Sequence, residues 1–315
     1  MTVHRWQTLF PFPPRYFQVG AARLHYVDQG PATLAAASGQ PAARETLLLV
    51  HGNPTWSFHW RKLIGAFEDR YRLIAPDHIG CGGSDKPRDY PYTLAQHVAN
   101  LCALIEHLQL RDITLIAQDW GGAIGMGAAV ALPSRFRRFI LGNTAAFRSN
   151  QMPWRIAACR LPGVGRLAVQ GMNLFLRAAL RMALQHPDRL TKAERAGYLA
   201  PYDNWPHRQA IYRFVEDIPL RASHPSYSKL LEIETGLRQF RDSPVQLFWG
   251  MRDWCFTPHF LERFVEFFPA GEVHRFADAG HWVFEEAHQE IAERIGAFLR
   301  NHPLASKPAE MFTRP

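Results

Sequence analysis

The chain has 315 residues and a formal net charge of +8, and its content of 47% hydrophobic and 20% charged residues excludes an intrinsically disordered protein. Its lysines and arginines form no run of five or more, and no nucleic-acid-binding motif accompanies them. We therefore expect a positive solvated surface and no nucleic-acid partner. A chain of this length is long for a single hydrophobic core, which favours a main domain with an inserted lobe.

Targeting and redox signals are weak. The segment MTVHRWQTLFPFPPRYF has no apolar run of signal-peptide length, and no segment reaches the ~18–20 apolar residues of a transmembrane helix. The four cysteines form no CxxC pair and no metal-binding spacing with histidine. We expect a cytoplasmic protein with reduced thiols, no metal and no cofactor. A weak attraction to anionic lipid or to an acidic partner stays open.

The predicted elements alternate between strands and helices along much of the chain. A Pro/Ala/Ser-rich segment, Gly30–Arg44, predicts a surface loop. Apolar runs and their flanks predict strands at Tyr16–Val19, Arg23–Val27, Thr46–Val50, Tyr71–Ala75, Asp112–Ala117, Arg138–Leu141, Val245–Trp249 and Val273–Phe276. Helical spacing of apolar residues predicts helices at Leu94–Leu108, Phe260–Phe268 and Phe284–Leu299. Such alternation favours a parallel sheet covered by helices on both faces.

The alternation is interrupted between about Phe147 and Ser243. That interval contains helix-like segments, Leu174–Leu184, Lys192–Leu199 and Arg208–Phe214, but no convincing buried strand. We predict a core domain formed by residues 1–147 and 243–315, with residues 148–242 inserted as a helical cap.

The segment Gln118-Asp119-Trp120-Gly121-Gly122 directly follows the predicted strand DITLIA and contains a carboxylate. The next helix begins with small residues, which allows the sharp strand-to-helix turn known as a nucleophile elbow. An aspartate at a helix N-terminus is stabilised as an anion by free N–H groups, so it needs no base to activate it. The alternative is that Asp119 only caps the helix.

Three further loops follow predicted strands, and the carboxyl ends of parallel strands lie at one edge of a sheet. His51-Gly52-Asn53-Pro54 follows TLLLV, and Asn53 together with the Trp120 indole would offer two neutral donors for a leaving group. The alternative for Asn53 is a role in closing a tight turn.

The remaining two loops carry a candidate acid and a candidate base. Asp253 follows VQLFW and is placed to hold the tautomer of a histidine, although Asp242 and Asp278 compete for this role. His281 follows VHRFA and precedes a helix, which distinguishes it from the other histidines. His78 lies in a glycine-rich loop and is expected to be structural.

Together the segments HGNPTWSFHWR, DHIGCGGSDKP, QDWGG, GMRDWCFTP and FADAGHWVFEE resemble haloalkane dehalogenases of the α/β-hydrolase superfamily along nearly the whole core domain. The resemblance implies an α/β-hydrolase fold, with a mostly parallel central sheet, flanking helices and an inserted helical cap. It also implies Asp119 as the nucleophile, His281 as the base, Asp253 as the acid, and Asn53 and Trp120 as the halide-binding pair. Epoxide hydrolases are similar in the elbow but usually have an aromatic residue where Asn53 stands.

Within that family, HGNPTWSFHWR, MRDWCFTP, FADAGHWVFEE and the cap segment WPHRQAIYRFVEDIP are most similar to olefin-forming β-lactone decarboxylases of bacterial long-chain hydrocarbon synthesis. The resemblance implies conversion of long-chain cis-β-lactones to cis-olefins and CO₂, with a hydrophobic small-molecule substrate and other enzymes of a hydrocarbon pathway as partners. Haloalkane dehalogenation is the alternative, because both reactions can use the same five residues. A non-catalytic binding protein is disfavoured by the intact Asp119, Asp253 and His281.

The predicted cap is rich in large apolar side chains, which offer surface for alkyl chains at ~0.8 kcal/mol per buried CH₂. The alternative is that they form the cap's own core. These residues are Met152, Trp154, Leu161, Leu167, Met172, Leu174, Phe175, Leu176, Leu180 and Met182.

Overall fold

The computed structural model describes residues 5–30, 33–35, 41–43 and 45–304. Its strands are β1 Arg15–Val19, β2 Ala22–Gln29, β3 Thr33–Ala35, β4 Pro41–Ala43, β5 Thr46–Val50, β6 Arg72–Pro76, β7 Ile113–Asp119, β8 Phe136–Thr144, β9 Val245–Gly250 and β10 Glu272–Phe276. Eight of them form one sheet in the order β1-β2-β6-β5-β7-β8-β9-β10, and β3 pairs with β4 alone.

The large sheet is mostly parallel. The pairs β1–β2 and β2–β6 are antiparallel, and the other neighbours, from β6 through β5, β7, β8 and β9 to β10, are all parallel. Parallel strands end at the same edge of a sheet. The loops after β5, β7, β9 and β10, which carry the candidate residues, therefore meet at one edge.

The helices that accompany the strands are α1 Arg61–Phe67, α2 Leu94–His107, α3 Trp120–Ala131, α4 Trp154–Ala158, α5 Val164–Arg166, α6 Leu174–Met182, α7 Lys192–Leu199, α8 Gln209–Glu216, α9 Tyr227–Gly236, α10 Pro258–Phe267, α11 Val283–Glu286 and α12 His288–Asn301. A π-helical turn, Leu167–Gly171, continues α5. Among the described residues, no helix is both long and apolar enough to cross a bilayer.

The strand β5 shows why the core has two layers. All five of its residues are buried, and their side chains alternate between the two faces of the sheet. Leu48 and Val50 belong to the apolar cluster that includes residues of α2, α3 and α10, whereas Leu47 and Leu49 belong to the cluster that includes residues of α1, α11 and α12. Because both faces are covered by helices, TLLLV reads as a continuous apolar run instead of an alternating one.

The elements between β8 and β9 are all helical, from α4 to α9. Helices α6, α7 and α8 share a separate apolar cluster that includes Leu176, Leu180 and Tyr198 and rests on Trp56 and Trp282 of the sheet domain. In contrast, α9 packs against α2 and α3 through Leu230 and Ile233. We propose that the cap comprises the part of residues 148–242 that precedes α9.

Two predicted elements differ from the structure. The segment Phe284–Leu299 is not one helix, because α11 ends at Glu286 and α12 begins at His288, with Ala287 in a non-helical conformation between them. The predicted loop Gly30–Arg44 lies partly outside the described residues, and its described parts form the short strands β3 and β4. The sequence predicts none of the helices α1, α4, α5 and α9. The first three have seven residues or fewer, which is too short for a clear helical spacing of apolar residues.

Candidate active site

Asp119 lies at the sharp turn between β7 and α3. Its backbone has φ 53° and ψ −131°, a conformation that side-chain-bearing residues rarely adopt and that is typical of strained functional turns. The turn is also tightly packed. A Cβ atom on Gly121 would lie 2.0 Å from the Val50 carbonyl oxygen, and one on Gly122 would lie 1.9 Å from Oγ1 of Thr144. The two glycines are therefore required for α3 to approach the sheet closely enough to form the elbow.

The two carboxylate oxygens of Asp119 have different surroundings. Oδ1 accepts the backbone N–H of Asn53 at 2.5 Å. The loop closes this tightly because residue 52 is glycine, since a Cβ there would lie 2.2 Å from the same oxygen. Oδ2 lies 3.6 Å from Nε2 of His281. One oxygen is thus held by the loop after β5, and the other faces the histidine.

His281 bridges two carboxylates. Its Nδ1 lies 2.8 Å from Oδ2 of Asp253, on the side opposite Asp119. Asp253 is fully buried and is fixed by two donors, the Asn143 side chain at 3.0 Å and the backbone N–H of Cys255 at 2.6 Å. An aspartate held in this way fixes the orientation and tautomer of the imidazole.

The competing residues do not contact His281. Asp242 and Asp278 are exposed, and Asp278 pairs with His186 at 2.6 Å. His78 is buried beside the backbone carbonyl of His51, and burial holds its pKa well below the usual range. Among the candidate acids, Asp253 is the one that the fold brings to the histidine.

The charge state of His281 follows from its position between two carboxylates. Burial alone would lower its pKa, but the charge of Asp253, the hydrogen bonds to Asp119 and Asp253 and the charge of Asp119 outweigh burial and raise the pKa to about 10. At neutral pH His281 is therefore an imidazolium, which lies between Asp119 and Asp253.

Asp119 lines a cavity with an empty volume of about 910 Å³, part of which is open to solvent. Its polar lining includes Asn53, Asp119, Ser149 and Gln151, and Trp120 also borders it. Nearly all of the remaining lining is apolar, as is usual for a small-molecule site. The apolar lining consists of Leu94, Ala123, Ala145, Phe147, Met152, Pro153, Ile156, Phe175, Val215, Ile218, Pro219, Leu230, Phe256 and Phe260.

Asn53 and Trp120, the two predicted donors, both border this cavity beside Asp119. Nδ2 of Asn53 donates one hydrogen to the Ile211 carbonyl of α8 at 3.1 Å. A primary amide has two N–H donors, so one remains for a ligand. Within the described part of the chain, the Trp120 indole nitrogen has no hydrogen-bond partner. Both side chains can therefore donate to an anion or an oxygen in the cavity.

The structure adds a positioning contact that the sequence analysis missed. Gln118, immediately before Asp119, donates from Nε2 to the His281 carbonyl oxygen. Its Oε1 lies 2.5 Å from Nε2 of His59, and burial lowers the pKa of His59 to about 4, so this imidazole is neutral. The Gln118 amide therefore links the elbow to the loop that carries His281. Only its place directly before the elbow signals this role in the sequence.

A buried ionic cluster surrounds Glu285, which follows the loop that carries His281. Arg61 donates to both oxygens of Glu285 at 2.7 Å and to Glu194 of α7 at 2.7 Å. Tyr198, also on α7, donates to Glu285 at 2.6 Å. Burial alone would raise the pKa of Glu285, but the charge and hydrogen bonds of Arg61 and the charge of Lys62 lower it to about 2. This cluster fastens α7 to the segment that follows His281.

Comparison with known proteins places this geometry in a family. The model of the alpha/beta hydrolase fold matches residues 45–288, which include every strand from β5 to β10. The chain belongs to the α/β-hydrolase family. Within that family it is 37% identical over 97% of its length to a cis-3-alkyl-4-alkyloxetan-2-one decarboxylase of Shewanella oneidensis, of which 95% is covered. It is 39% identical over 94% of its length to the protein of the same name in Xanthomonas campestris, of which 98% is covered.

Other members of the α/β-hydrolase family that match are haloalkane dehalogenases. The chain is 32% identical over 91% of its length to haloalkane dehalogenase 2 of Mycobacterium tuberculosis, of which 95% is covered. The crystal structure of a putative ancestral haloalkane dehalogenase superposes with a TM-score of 0.80 at 27% identity, covering 91% of this chain and 98% of that one. The α/β-hydrolase fold and the resemblance to these two groups, expected from the sequence motifs, are thereby confirmed.

Proposed function

We propose that the protein removes CO₂ from cis-β-lactones that carry alkyl chains on both substituted ring carbons and releases cis-olefins. The observation that carries this proposal is a carboxylate, Asp119, in the wall of a cavity whose lining is mostly apolar. Such a cavity suits a substrate with one small reactive polar ring and long alkyl chains. The near-full-length similarity to two proteins named cis-3-alkyl-4-alkyloxetan-2-one decarboxylases supports it.

In the proposed first step, Oδ2 of Asp119 attacks the ring carbon that bears the ring oxygen. The bond from that carbon to the ring oxygen breaks, its configuration inverts, and the former lactone carbonyl is freed as a carboxylate. Asn53 and Trp120 border the cavity beside Asp119 and are positioned to donate to this leaving carboxylate. The intermediate is an alkyl ester of Asp119 with a carboxylate on the neighbouring carbon.

In the proposed second step, the bond to the carboxylate breaks and its electrons form the carbon–carbon double bond. The electrons of the ester C–O bond return to Asp119, and CO₂ leaves on the opposite face. Inversion followed by anti elimination converts a cis lactone into a cis olefin. His281, 3.6 Å from Oδ2 of Asp119, stabilises the departing carboxylate as an imidazolium, and Asp253 orients the imidazole.

Hydrolytic dehalogenation is the second candidate, and the 32% identity to a haloalkane dehalogenase favours it. In this reaction Asp119 displaces a halide bound by Asn53 and Trp120. His281 then deprotonates a water molecule that hydrolyses the ester. The same five residues serve both reactions, so the product must distinguish them.

The deciding experiment offers the purified protein a long-chain cis-β-lactone and a long-chain haloalkane side by side in ¹⁸O-water. The expected result is a cis-olefin from the lactone, with no labelled hydroxy acid and no steady halide release. Labelled hydroxy acid without olefin, together with continuous halide release, would exclude the decarboxylase in favour of the dehalogenase.

Two variants connect this product to the site. Asp119→Ala should abolish olefin formation while the far-ultraviolet circular dichroism of the folded protein is retained. His281→Ala should slow olefin release, and any adduct detected by mass spectrometry should decay to olefin instead of alcohol. An Asp119→Ala variant with wild-type turnover would refute the nucleophile assignment. An adduct of His281→Ala that decays to alcohol would instead support hydrolysis.

A further inference from the structure

Large apolar side chains are exposed in one stretch of the proposed cap. Trp154 and Val164 are 72% and 67% exposed, and few exposed side chains of this kind occur elsewhere in the described chain. Contiguous exposed apolar surface on a globular protein commonly marks an interaction site. We call these residues the cap patch: Trp154, Leu161, Val164, Leu167, Met172, Leu174, Met182 and Trp205.

Contacts join the two ends of the cap patch to α6. At one end, the Arg155 guanidinium lies over the rings of both Trp154 and Trp254, 5.0 Å and 5.2 Å from their centroids. The Trp254 indole donates to the carbonyl of Met182, the last residue of α6, at 2.8 Å. Trp154 on α4 and Met182 on α6 are therefore parts of the same surface.

At the other end, Leu167 and Trp205 are neighbours. A Cβ atom on Gly171 would lie 2.9 Å from Leu167 Cδ1 and 3.1 Å from Trp205 Cζ3. The guanidinium of Arg166 lies 5.7 Å from the Trp205 ring. Leu167 lies in the π-helical turn Leu167–Gly171, which precedes α6 in the chain, so α6 connects both ends.

The helix α6 is amphipathic in a particular way. Its buried side, with Leu176 and Leu180, joins the apolar cluster of the cap. Its exposed side combines apolar and cationic residues at helical spacing: Leu174, Arg177, Ala178, Arg181 and Met182.

The segment that contains seven of the eight cap-patch residues carries charge of one sign, and the exposed Asp203 beside the eighth, Trp205, pairs with His207. Residues 153–182 contain five arginines and no lysine, aspartate or glutamate. Arg177 and Arg181 are exposed and form no ion pair with any described residue. Arginine and lysine together with tryptophan and leucine are typical of helices that lie in the interface of an anionic bilayer. A second copy docking by the same face would place arginines against arginines, which is unfavourable.

We propose that the cap patch docks the protein onto an anionic lipid bilayer, with α6 parallel to the membrane surface. The helices that carry the patch also line the cavity, through Ile156 on α4 and Phe175 on α6. Docking therefore places the cavity wall beside the bilayer, where lipophilic molecules accumulate. The proposal concerns binding alone and does not depend on which reaction the site performs.

The electrostatic contribution to membrane binding is tested by vesicle flotation without substrate. Phosphatidylcholine vesicles are compared with vesicles that contain 30% phosphatidylglycerol. Wild type should bind the anionic vesicles much more strongly. The double variant Arg177→Gln/Arg181→Gln should bind them about 25-fold more weakly, since one basic residue near such a surface contributes about fivefold. The matched control is Arg111→Gln/Arg241→Gln, because these exposed arginines precede β7 and β9 at the opposite edge of the sheet. This control should bind as wild type does.

The apolar part is tested with Val164→Ser/Leu167→Ser, which should weaken binding to the anionic vesicles about tenfold or more. The control is Leu231→Ser, an exposed leucine on α9 outside the cap patch. Circular dichroism melting should be unchanged in all variants. The proposal is overturned if wild type does not float, if the Arg111/Arg241 control loses as much binding as the Arg177/Arg181 variant, or if the cap-patch variants bind normally. It is also overturned if sedimentation shows that the patch instead mediates self-association and vesicles are not bound.

Discussion

Replacing either carboxylate beside His281 should change the pKa of that residue in a defined order. The wild-type imidazole has a pKa of about 10, and Asp253 makes the largest contribution that raises it. Its Nδ1 lies 2.8 Å from Asp253, whereas its Nε2 lies 3.6 Å from Asp119. The pKa of His281 should therefore be highest in wild type, lower in Asp119→Asn and lowest in Asp253→Asn.

The structure sets the size of these changes. Raising a histidine pKa from 6.5 to about 10 corresponds to roughly 5 kcal/mol in favour of the protonated form. A single opposite charge within hydrogen-bonding distance accounts for a change of about 1–3 in pKa. We expect Asp253→Asn to lower the pKa of His281 by about 2–3, and Asp119→Asn to lower it by about 1.

The assay is a pH titration of ¹⁵N-labelled histidine side chains followed by NMR. The signal of His281 is assigned by its loss in His281→Gln. A wild-type imidazole that titrates near 6.5 would refute the resting ion pair. A larger effect of Asp119→Asn than of Asp253→Asn would refute the assignment of Asp253 as the principal partner.

Four further substitutions test the residues of the site and its surroundings. Asn53→Leu and Trp120→Phe should each slow single-turnover attack by about 10²–10³-fold, because each removes one donor to the leaving group; a rate near wild type would make that residue structural. Gln118→Leu should lower kcat by up to about 10²-fold with little effect on KM, and it should shift the dependence of kcat on pH. If Gln118 is purely structural, the variant should lose thermal stability while the pH dependence of kcat stays unchanged. Glu285→Gln should lower the free energy of unfolding by about 3–5 kcal/mol in urea titrations, since it leaves Arg61 buried with a weakened partner. The pKa of Glu285 in the folded protein is about 2, so its contribution to the free energy of unfolding is fully present above pH 4.5 and is lost as the pH falls towards 2. In Glu285→Gln the free energy of unfolding should therefore decrease less over this pH range than in wild type.

Much of the fold could be predicted because its strands are encoded locally. The run TLLLV occupies Thr46–Val50 in both the prediction and the structure. A strand that is buried on both faces is apolar along its length, so its ends are visible in the sequence. The elbow was also local, because a carboxylate, a small-residue helix and a preceding apolar strand are contiguous. The break at Ala287 was not predictable from apolar spacing, which continues through both α11 and α12.

Contacts between distant segments could not be derived in the same way. Asn143 holds Asp253 from the end of β8, 110 residues earlier in the chain. Gln118 contacts the His281 carbonyl across 163 residues. Neither pair has a spacing that a single sequence reveals. Gln118 directly follows one predicted strand and Asn143 lies two residues after another, so the polar residues that follow each predicted strand include both.

The apolar residues of the proposed cap show that composition does not predict where a side chain is located. The sequence is compatible with their lining a cavity or forming the core of the proposed cap, and each explanation accounts for only some of them. Met152 and Phe175 line the cavity, and Leu176 and Leu180 are buried in the cap core. The remaining six of the predicted set are exposed, and they belong to the cap patch. Apolarity alone does not show whether a side chain faces a core, a cavity or the surface, because that depends on packing partners from elsewhere in the chain.

The resting ion pair also bears on which reaction the site favours. In the proposed lactone route, Asp119 begins and ends the cycle as a carboxylate, and neither step transfers a proton. The imidazolium of His281, with its pKa of about 10, is therefore already in the state that stabilises the departing carboxylate. In the hydrolytic route the ester removes one negative charge beside His281, which lowers its pKa, and the residue must lose its proton before it can accept one from water. The raised pKa of His281 therefore suits elimination directly and suits hydrolysis only after this additional deprotonation.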